Sequence, residues 1–271
     1  MPSLQTETTE LFTVLQGDPQ SRVIIHVPHA GLYIPEKEMP TFTLQGAELE
    51  TEALLMADIH TDKLAREVYS AADVKPWVFI NNLSRLVVDP ERFVDDSEEM
   101  NAVGMGFAYE KTADQETLRV VDEALSNRLL HEYYNPYSES LAQLTREVLA
   151  AQGWVTIVDL HSYAVEALPY ELHKDDLRPA VCLGVDKGHI AWDIVDEAED
   201  AFFALGSVEV NTPFSGSYVP TEFYFKDSRV QSIMFEIRKD TYGFGDRDSE
   251  GFQGTVQSIG NFVRALNSNR K

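Results

Sequence analysis

Short runs of β-branched and aromatic residues alternate along the chain with longer stretches in which apolar residues recur at helical spacing. The short runs are apolar almost throughout, which is typical of strands buried on both faces of a sheet. This alternation predicts an α/β protein of three layers, with helices flanking a central mixed, mostly parallel sheet. The predicted strands are residues 22–27, 77–82, 154–159, 180–185 and 231–237, and the predicted helices are 52–71, 115–151, 189–205 and 248–266.

No feature of the sequence divides the chain into parts. Internal repeats, low-complexity tracts and linkers rich in Pro, Gly or Ser are absent, so we expect one domain over residues 1–271 with a core at about 22–245. Residues 89–106 are rich in acidic residues, Gly and Met and have weak periodicity. We predict a long loop there, and long loops inside compact domains are often functional.

Charge and cysteine content narrow the possible partners and location. The 271 residues include 45 Asp and Glu against 22 Lys and Arg, a net charge of −23, which disfavours binding to nucleic acid or to an anionic membrane surface. The single cysteine, Cys182, cannot form an internal disulfide, and we expect it inside a buried strand. Residues 1–20 lack the basic start and apolar run of a secretion signal, so we expect a cytoplasmic protein.

Two histidines stand where predicted strands end. His29 follows the first strand and His161 the third, and the carboxyl ends of parallel strands meet at one edge of a sheet. One such histidine could equally be a turn residue bonded to a carbonyl, but two favour a shared site. They are 132 residues apart, which excludes the helical His-Glu-x-x-His motif, so different strands would have to hold a metal.

A catalytic zinc site for amide hydrolysis needs three protein ligands and an open position for water. For the third ligand we favour Asp58, which falls within an apolar face of the predicted helix 52–71, where a bare carboxylate would be costly to bury. The alternative is that Asp58 caps a helix starting at Ile59. Glu36 and His60 are the other candidates for this position.

The site also needs a carboxylate that takes a proton from water without binding the metal. Glu236 ends an apolar strand, where burial would raise its pKa towards the range of a general base, although it could instead pair with Arg238. Arg85, Arg92 and Arg238 lie near strand ends, and a guanidinium can bind a substrate carboxylate through two hydrogen bonds. Arg92 or Arg238 could equally be structural ion-pair partners.

An ordered set of short motifs resembles the N-formylglutamate amidohydrolase family. The set covers about residues 22–245, and no single motif in it is specific. It consists of Val27-Pro28-His29-Ala30-Gly31, Asp58-Ile59-His60, Asn82-Leu83-Ser84-Arg85 with Asp89 and Arg92, Asp159-Leu160-His161-Ser162, and Asn211-Thr212-Pro213-Phe214-Ser215-Gly216. Two further stretches are similar to metallocarboxypeptidases, namely His161-Ser162-Tyr163 and Phe235-Glu236-Ile237-Arg238.

The resemblance implies a zinc-carboxypeptidase-like fold, a bound Zn²⁺ and roles for particular residues. His29 and His161, with Asp58, would be the ligands, Glu236 the general base, and Arg85 a donor to the developing oxyanion. Asp159 would orient a ligand histidine. Candidates for binding the substrate and its carboxylates are Arg92, Arg238, Asn211 and Ser84.

Three positions depart from these families. Leu32 stands where carboxypeptidases have a glutamate ligand, Glu91 where the amidohydrolase family often has asparagine, and Ser138 where it commonly has histidine. The last two bear on formylglutamate as the substrate more than on zinc hydrolysis.

The sequence therefore predicts a zinc-dependent hydrolase of a small N-acyl amino acid that carries a carboxylate, with N-formyl-L-glutamate as the first candidate. A metallocarboxypeptidase or an amidohydrolase of another N-acyl amino acid is the first alternative. A non-catalytic binding protein of the same fold is the second. No oligomeric state is implied.

Overall fold

The computed structural model describes residues 6–268, which form an eight-stranded mixed sheet with helices on both faces. The α/β fold class predicted from the sequence is confirmed. Residues 1–5 and 269–271 of the predicted domain lie outside the described residues, and its one-domain organisation stays a prediction. The strands are Glu7–Thr8 (β1), Phe12–Leu15 (β2), Val23–Val27 (β3), Trp77–Asn81 (β4), Val155–Tyr163 (β5), Val181–Gly184 (β6), Val208–Val210 (β7) and Val230–Arg238 (β8).

The order of the strands brings four carboxyl ends to one edge. Across the sheet the order is β1-β2-β4-β3-β5-β8-β6-β7, and β4, β3, β5 and β8 are parallel neighbours. The flanking strands β2 and β6 run antiparallel to β4 and β8. Strands β5 and β8 pair along nine residues, which sets His161 opposite Glu236. Side chains from distant parts of the chain therefore meet at this edge.

Six α-helices accompany the sheet within the described residues. A π-helical turn, Leu130–Tyr134, joins the third helix to the fourth just before Pro136, which has no N–H to donate. The fourth helix ends at Gly153, whose φ of 80° is left-handed. The helices are Ala47–Met56 (α1), Thr61–Ala71 (α2), Glu123–Leu129 (α3), Asn135–Gln152 (α4), Trp192–Phe202 (α5) and Glu250–Ser268 (α6).

Each face of the sheet has its own apolar core. Helices α2, α5 and α6 cover one face, where Ile25 packs in the cluster that contains Leu64 and Phe262. Helix α4 covers the other, where Ile24 packs in the cluster that contains Leu141. Neighbouring residues of β3 thus point into opposite cores, as alternation along a strand requires. This double burial explains why the central strands are apolar throughout.

Two predicted helices were partly wrong. The helix predicted at 52–71 is interrupted at residues 57–60, because the Asp58 N–H donates to the carbonyl of His29 at 3.0 Å and His60 takes a left-handed φ of 73°. The helix predicted at 115–151 begins only at Glu123, where the Asp122 carboxylate accepts from the Leu125 N–H and caps the first turn.

The strands were predicted more closely than the helices. All five predicted strands exist, and Cys182 is buried in β6 as expected. Strand β5 continues to Tyr163, so His161 lies inside its carboxyl end rather than after it. The sequence missed β1, β2 and β7, which are only two to four residues long. Residues 89–106 form the predicted loop, with one short 3₁₀ turn at Glu99–Val103.

Across residues 6–268, helices with the length and apolar character needed to span a bilayer are not found.

Gly31 offers a test of how the segments after β3 and β4 fit together. A Cβ at Gly31 would lie 2.5 Å from the carbonyl carbon of Asn82 and against the carbonyl oxygen of Leu83, so the backbone would have to shift. We expect Gly31→Ala to lower the free energy of unfolding by about 1–3 kcal/mol, measured by urea denaturation. The control is Gly260→Ala in α6, where a Cβ has no neighbour within 4 Å and should stabilise by about 0.5–1 kcal/mol. Equal effects at both positions would contradict the close approach.

Candidate active site

Three buried side chains converge at the carboxyl edge of the sheet. His29 follows β3, His161 lies at the end of β5, and Asp58 lies in the connection between α1 and α2. The two Nδ1 atoms of the histidines are 3.2 Å apart. The Oδ2 atom of Asp58 is 3.0 Å from the Nδ1 of His161 and 3.6 Å from the Nδ1 of His29. We call these three residues the ligand triangle.

The ligand triangle fits a zinc ion in both size and chemistry. Ligands of a tetrahedral ion with bonds of about 2.0–2.2 Å lie about 3.3–3.5 Å from one another, close to the three observed distances. Two imidazole nitrogens and one carboxylate oxygen form a donor set that catalytic zinc sites use. The other two candidates for the third position do not join it, because Glu36 is exposed and His60 packs against Gly245.

Carboxylates face the far nitrogens of both histidine rings. The Nε2 of His29 lies 2.9 Å from the Oδ1 of Asp89. The Nε2 of His161 lies 3.2 Å from the Oδ1 of Asp159 and 3.3 Å from the Oε2 of Glu91. A carboxylate at Nε2 favours the tautomer that carries its proton there, which leaves the Nδ1 lone pair free for a metal.

The electrostatics of the ligand triangle favour a bound cation. Burial alone lowers the pKa of His161, but Glu91 and Asp159 outweigh it and raise that pKa well above its usual value. Burial raises the pKa of Asp58, but His161 and His29 hold it below its usual range. The cluster therefore stabilises positive charge between its acids, whether carried by protons or by a metal ion.

A further buried network holds Asp159 in place. The Nδ1 of His26 lies 2.8 Å from the Oδ1 of Asp159, and the Nε2 of His26 lies 2.7 Å from the hydroxyl of Tyr137. The backbone N–H of Tyr218 donates to the other carboxylate oxygen at 3.1 Å. These hydrogen bonds hold the Asp159 carboxylate in position beside His161. The sequence analysis missed His26 and Tyr137, which lie 111 residues apart and meet only in the folded sheet.

Glu236 lies beside His161 on the neighbouring strand. Burial raises the pKa of its carboxyl to about 8, against the opposing effect of His161. Its Oε2 atom is buried and makes no hydrogen bond. A carboxylate that lines the cavity beside the ligand triangle and has an unused oxygen has the properties of a general base.

The ligand triangle opens into a cavity of about 210 Å³. Pockets for drug-sized ligands measure about 300–1,000 Å³, so this cavity suits a smaller molecule. Its cationic residues are Arg85, Arg92 and Lys239. A second cavity, of about 350 Å³, adjoins the first and shares Glu91 and Arg92 with it.

Buried polar atoms without a hydrogen-bond partner concentrate around this cavity. Buried polar groups are normally satisfied, so each exception calls for an explanation. Those at the site are the Oε1 of Glu91, the Nε of Arg92 and the Oε2 of Glu236. The Nε2 of His161 joins them, because its two nearby carboxylate oxygens are close in charge but not aligned as hydrogen-bond acceptors. Their concentration at one place indicates a functional site.

Comparison with known proteins identifies the family. A model of the N-formylglutamate amidohydrolase family matches residues 21–243. The chain belongs to the N-formylglutamate amidohydrolase family. Among curated proteins, none matches the chain in sequence.

Two solved structures share the fold of this family member. An N-formylglutamate amidohydrolase from Ralstonia eutropha JMP134 superposes with a TM-score of 0.78 at 21% identity, over 95% of this chain and 98% of the other. A gene product of Agrobacterium tumefaciens superposes with a TM-score of 0.67 at 18% identity, over 95% and 93%. At these identities the comparisons show a common fold.

The arginines expected to bind substrate take different places in this member of the family. Arg85 and Arg92 line the cavity. Arg85 donates to Asp89 at 2.7 Å and to the hydroxyl of Tyr109 at 2.8 Å, which holds it firmly. Arg238 pairs with Asp240 at 2.7 and 3.1 Å and is not among the residues that line the cavity. The structure therefore contains the ion pair that the sequence left open as the alternative role for Arg238.

Two other predicted substrate-binding residues lie away from the cavity lining. The hydroxyl of Ser84 accepts from the Leu86 N–H at 3.2 Å, within the turn that leads to Arg85. The side chain of Asn211 bonds both backbone groups of Val185, with its own φ at 55°. Both residues hold backbone segments in place.

The departures from the family motifs also have defined positions. Glu91 lines the cavity beside the ligand triangle, within 3.3–3.6 Å of nitrogens of His26, His29 and His161. Ser138 lies outside the cavity, where its hydroxyl bonds Tyr218. Glu91 therefore changes the charge next to the histidines, whereas Ser138 bears on them only through the segment that contacts Asp159.

A variant of Asp159 tests whether its carboxylate helps the histidine of the ligand triangle to bind a metal. We expect Asp159→Asn to weaken zinc binding about 10–100-fold, because the amide no longer offers a negative charge to His161 and His26. Competition with a chromophoric chelator measures the affinity. Asp240→Asn, which changes a carboxylate outside the cavity, is the control and should bind zinc as the unaltered protein does. Equal affinities for the two variants would contradict a supporting role for Asp159.

Proposed function

We propose that the protein is a zinc-dependent amidohydrolase that cleaves N-formyl-L-glutamate to formate and L-glutamate. The observation that carries the proposal is the ligand triangle with Glu236 beside it in a small cavity, where the buried Oε2 atom of Glu236 makes no hydrogen bond. Membership of the family supports the choice of reaction. Under this proposal His29, Asp58 and His161 hold the zinc. When bound, zinc acts as a Lewis acid on the carbonyl and lowers the pKa of water.

Glu236 moves the proton in the proposed reaction. Its carboxylate accepts a proton from the attacking water, and the resulting carboxylic acid returns the proton to the departing nitrogen. Burial makes the Glu236 carboxylate a stronger base, since it raises the pKa of the carboxyl to about 8. Residues with pKa values near the working pH are efficient in both directions of proton transfer.

Two arginines complete the proposed binding of the substrate. Arg85, fixed by Asp89 and Tyr109, presents positive charge to the oxygen on which charge develops. Arg92 lies 3.5 Å from Asp89 and 3.8 Å from Glu98, distances too long for strong hydrogen bonds, and its buried Nε has no partner. A substrate carboxylate would supply that partner.

A second candidate reaction is hydrolysis of a longer N-acyl amino acid. Apolar side chains line part of the cavity, among them Leu55, Leu168, Leu172 and Phe214. A formyl group is too small to contact them all, and a longer acyl chain would bury more of this surface. Relative rates with N-formyl- and N-acyl-L-glutamate decide between the two candidates.

The proposed function is tested by metal content and formate release. We expect about one zinc per chain. Formate release from N-formyl-L-glutamate should stop after treatment with a chelator and return when zinc is added. Zinc without formate release would reject the substrate but retain the metal site. Protein without zinc after purification and zinc addition would reject the proposal.

The role of Glu236 makes a separate prediction. We expect Glu236→Gln to lower kcat about 10²–10⁴-fold, since the amide cannot accept the proton. Zinc content should not change, because Glu236 is not part of the ligand triangle. His29→Ala should instead lose both zinc and turnover. A Glu236→Gln variant with normal kcat would refute the assignment of the base.

A further inference from the structure

Lys239 is a cation at the cavity that the sequence analysis did not identify. It directly follows β8, three residues beyond Glu236, and it lines the same cavity as the ligand triangle. Its Nζ donates to the carbonyl of Ala57 at 2.9 Å, and Ala57 immediately precedes Asp58. Lys239 thus stands between the end of β8 and the segment that carries one member of the triangle.

The three cations of the cavity differ in how far the protein already neutralises them. Arg85 makes a close ion pair with Asp89, and Arg92 makes two long ones. For Lys239, no carboxylate of the described residues lies within ion-pair distance, and its one hydrogen bond goes to a neutral carbonyl. Asp58 and Glu236 influence it only from beyond ion-pair distance, so the ammonium is not paired directly although acids outnumber bases two to one in the chain. A half-buried ammonium in this condition is suited to bind an anion.

Lys239 and Arg92 approach the cavity from different sides. Arg92 belongs to the segment after β4, whereas Lys239 follows β8, and β3 and β5 lie between these strands. The histidines of the triangle come from β3 and β5. A small molecule held at the triangle would therefore have an incompletely neutralised cation available from each side. Two separate cations match two separate carboxylates.

We propose that Lys239 binds one carboxylate of a small N-acyl dicarboxylic amino acid, while Arg92 binds the other. This inference rests on the proposed function and assigns a residue to each carboxylate of that substrate. It assigns to Lys239 the carboxylate-binding role that the sequence suggested for the neighbouring Arg238, whose guanidinium forms an ion pair with Asp240.

The test compares Lys239→Met with a matched control. Lys75→Met is the control, since Lys75 is also half-buried and its Nζ also donates to a backbone carbonyl, that of Tyr69 at 3.1 Å, outside the cavity. The probe is glutarate, a dicarboxylate with no bond to hydrolyse, and its binding to the zinc-loaded protein is measured by calorimetry. We expect Lys239→Met to weaken glutarate binding about 10–100-fold and Lys75→Met to leave it unchanged. Lys239→Arg should retain most of the affinity.

Kinetics separate binding of a carboxylate from an effect on the chemical step. The substrates are N-formyl-L-glutamate and its two monoamides, N-formyl-L-glutamine and N-formyl-L-isoglutamine. Lys239→Met should raise KM about 10–100-fold for N-formyl-L-glutamate and for one monoamide, and should not affect the monoamide that lacks the carboxylate bound by Lys239. An equal fall in kcat for all three substrates would overturn the inference.

The two proposals can fail independently. Unchanged glutarate binding in Lys239→Met would reject the role of Lys239, even if the protein hydrolyses N-formyl-L-glutamate. Weakened glutarate binding with no hydrolysis of any N-formyl substrate would support Lys239 as an anion anchor and reject the proposed reaction. Thermal unfolding of both lysine variants shows whether a loss of binding reflects a loss of fold.

Discussion

The structure depends on the compensation of charge that is buried at one edge of its sheet. Asp58, Asp89 and Asp159 are nearly inaccessible to solvent, and a buried carboxylate is costly unless a cation or several donors satisfy it. Arg85 and the hydroxyl of Tyr109 satisfy Asp89. Asp58 and Asp159 rely mainly on histidines, which are charged only when protonated; a metal ion bound to the histidines would supply the positive charge instead. The site is therefore organised around positive charge that the side chains supply only in part.

The topology of the sheet makes this concentration of charge possible. Strands β3 and β5 are parallel neighbours, so residues at their carboxyl ends come together although they are far apart in sequence. Pairing of β5 with β8 then places Glu236 opposite His161. The continuous apolar strands give both faces of the sheet a core of their own, and this leaves the strand ends free to carry polar residues. The apolar middle of each strand thus stabilises the fold, whereas the carboxyl end of the same strand carries the polar residues of the site.

The same physical reasons explain which predictions succeeded. The strands at the centre of the sheet were predictable because double burial leaves a run of apolar residues. His29, His161 and Glu236 were predictable as neighbours because parallel strands end at the same edge. Asp58 was chosen from an apolar helical face that does not exist, since the helix breaks at residues 57–60. The structure nevertheless brings Asp58 to the two histidines, through the bond between its N–H and the carbonyl of His29.

By itself the sequence determined the fold class, the central strands and the polar residues at their ends, because these follow from local patterns of burial. Only the tertiary structure decided which charged groups neutralise one another. Arg238 and Lys239 are adjacent cations in the sequence, yet one pairs with Asp240 and the other lines the cavity without a carboxylate partner among the described residues. Arg238 is the last residue of β8 and Lys239 the first beyond it, and successive side chains of extended chain point to opposite sides. Partners such as Tyr137 for His26, which come from remote segments, are likewise decided by packing rather than by local sequence.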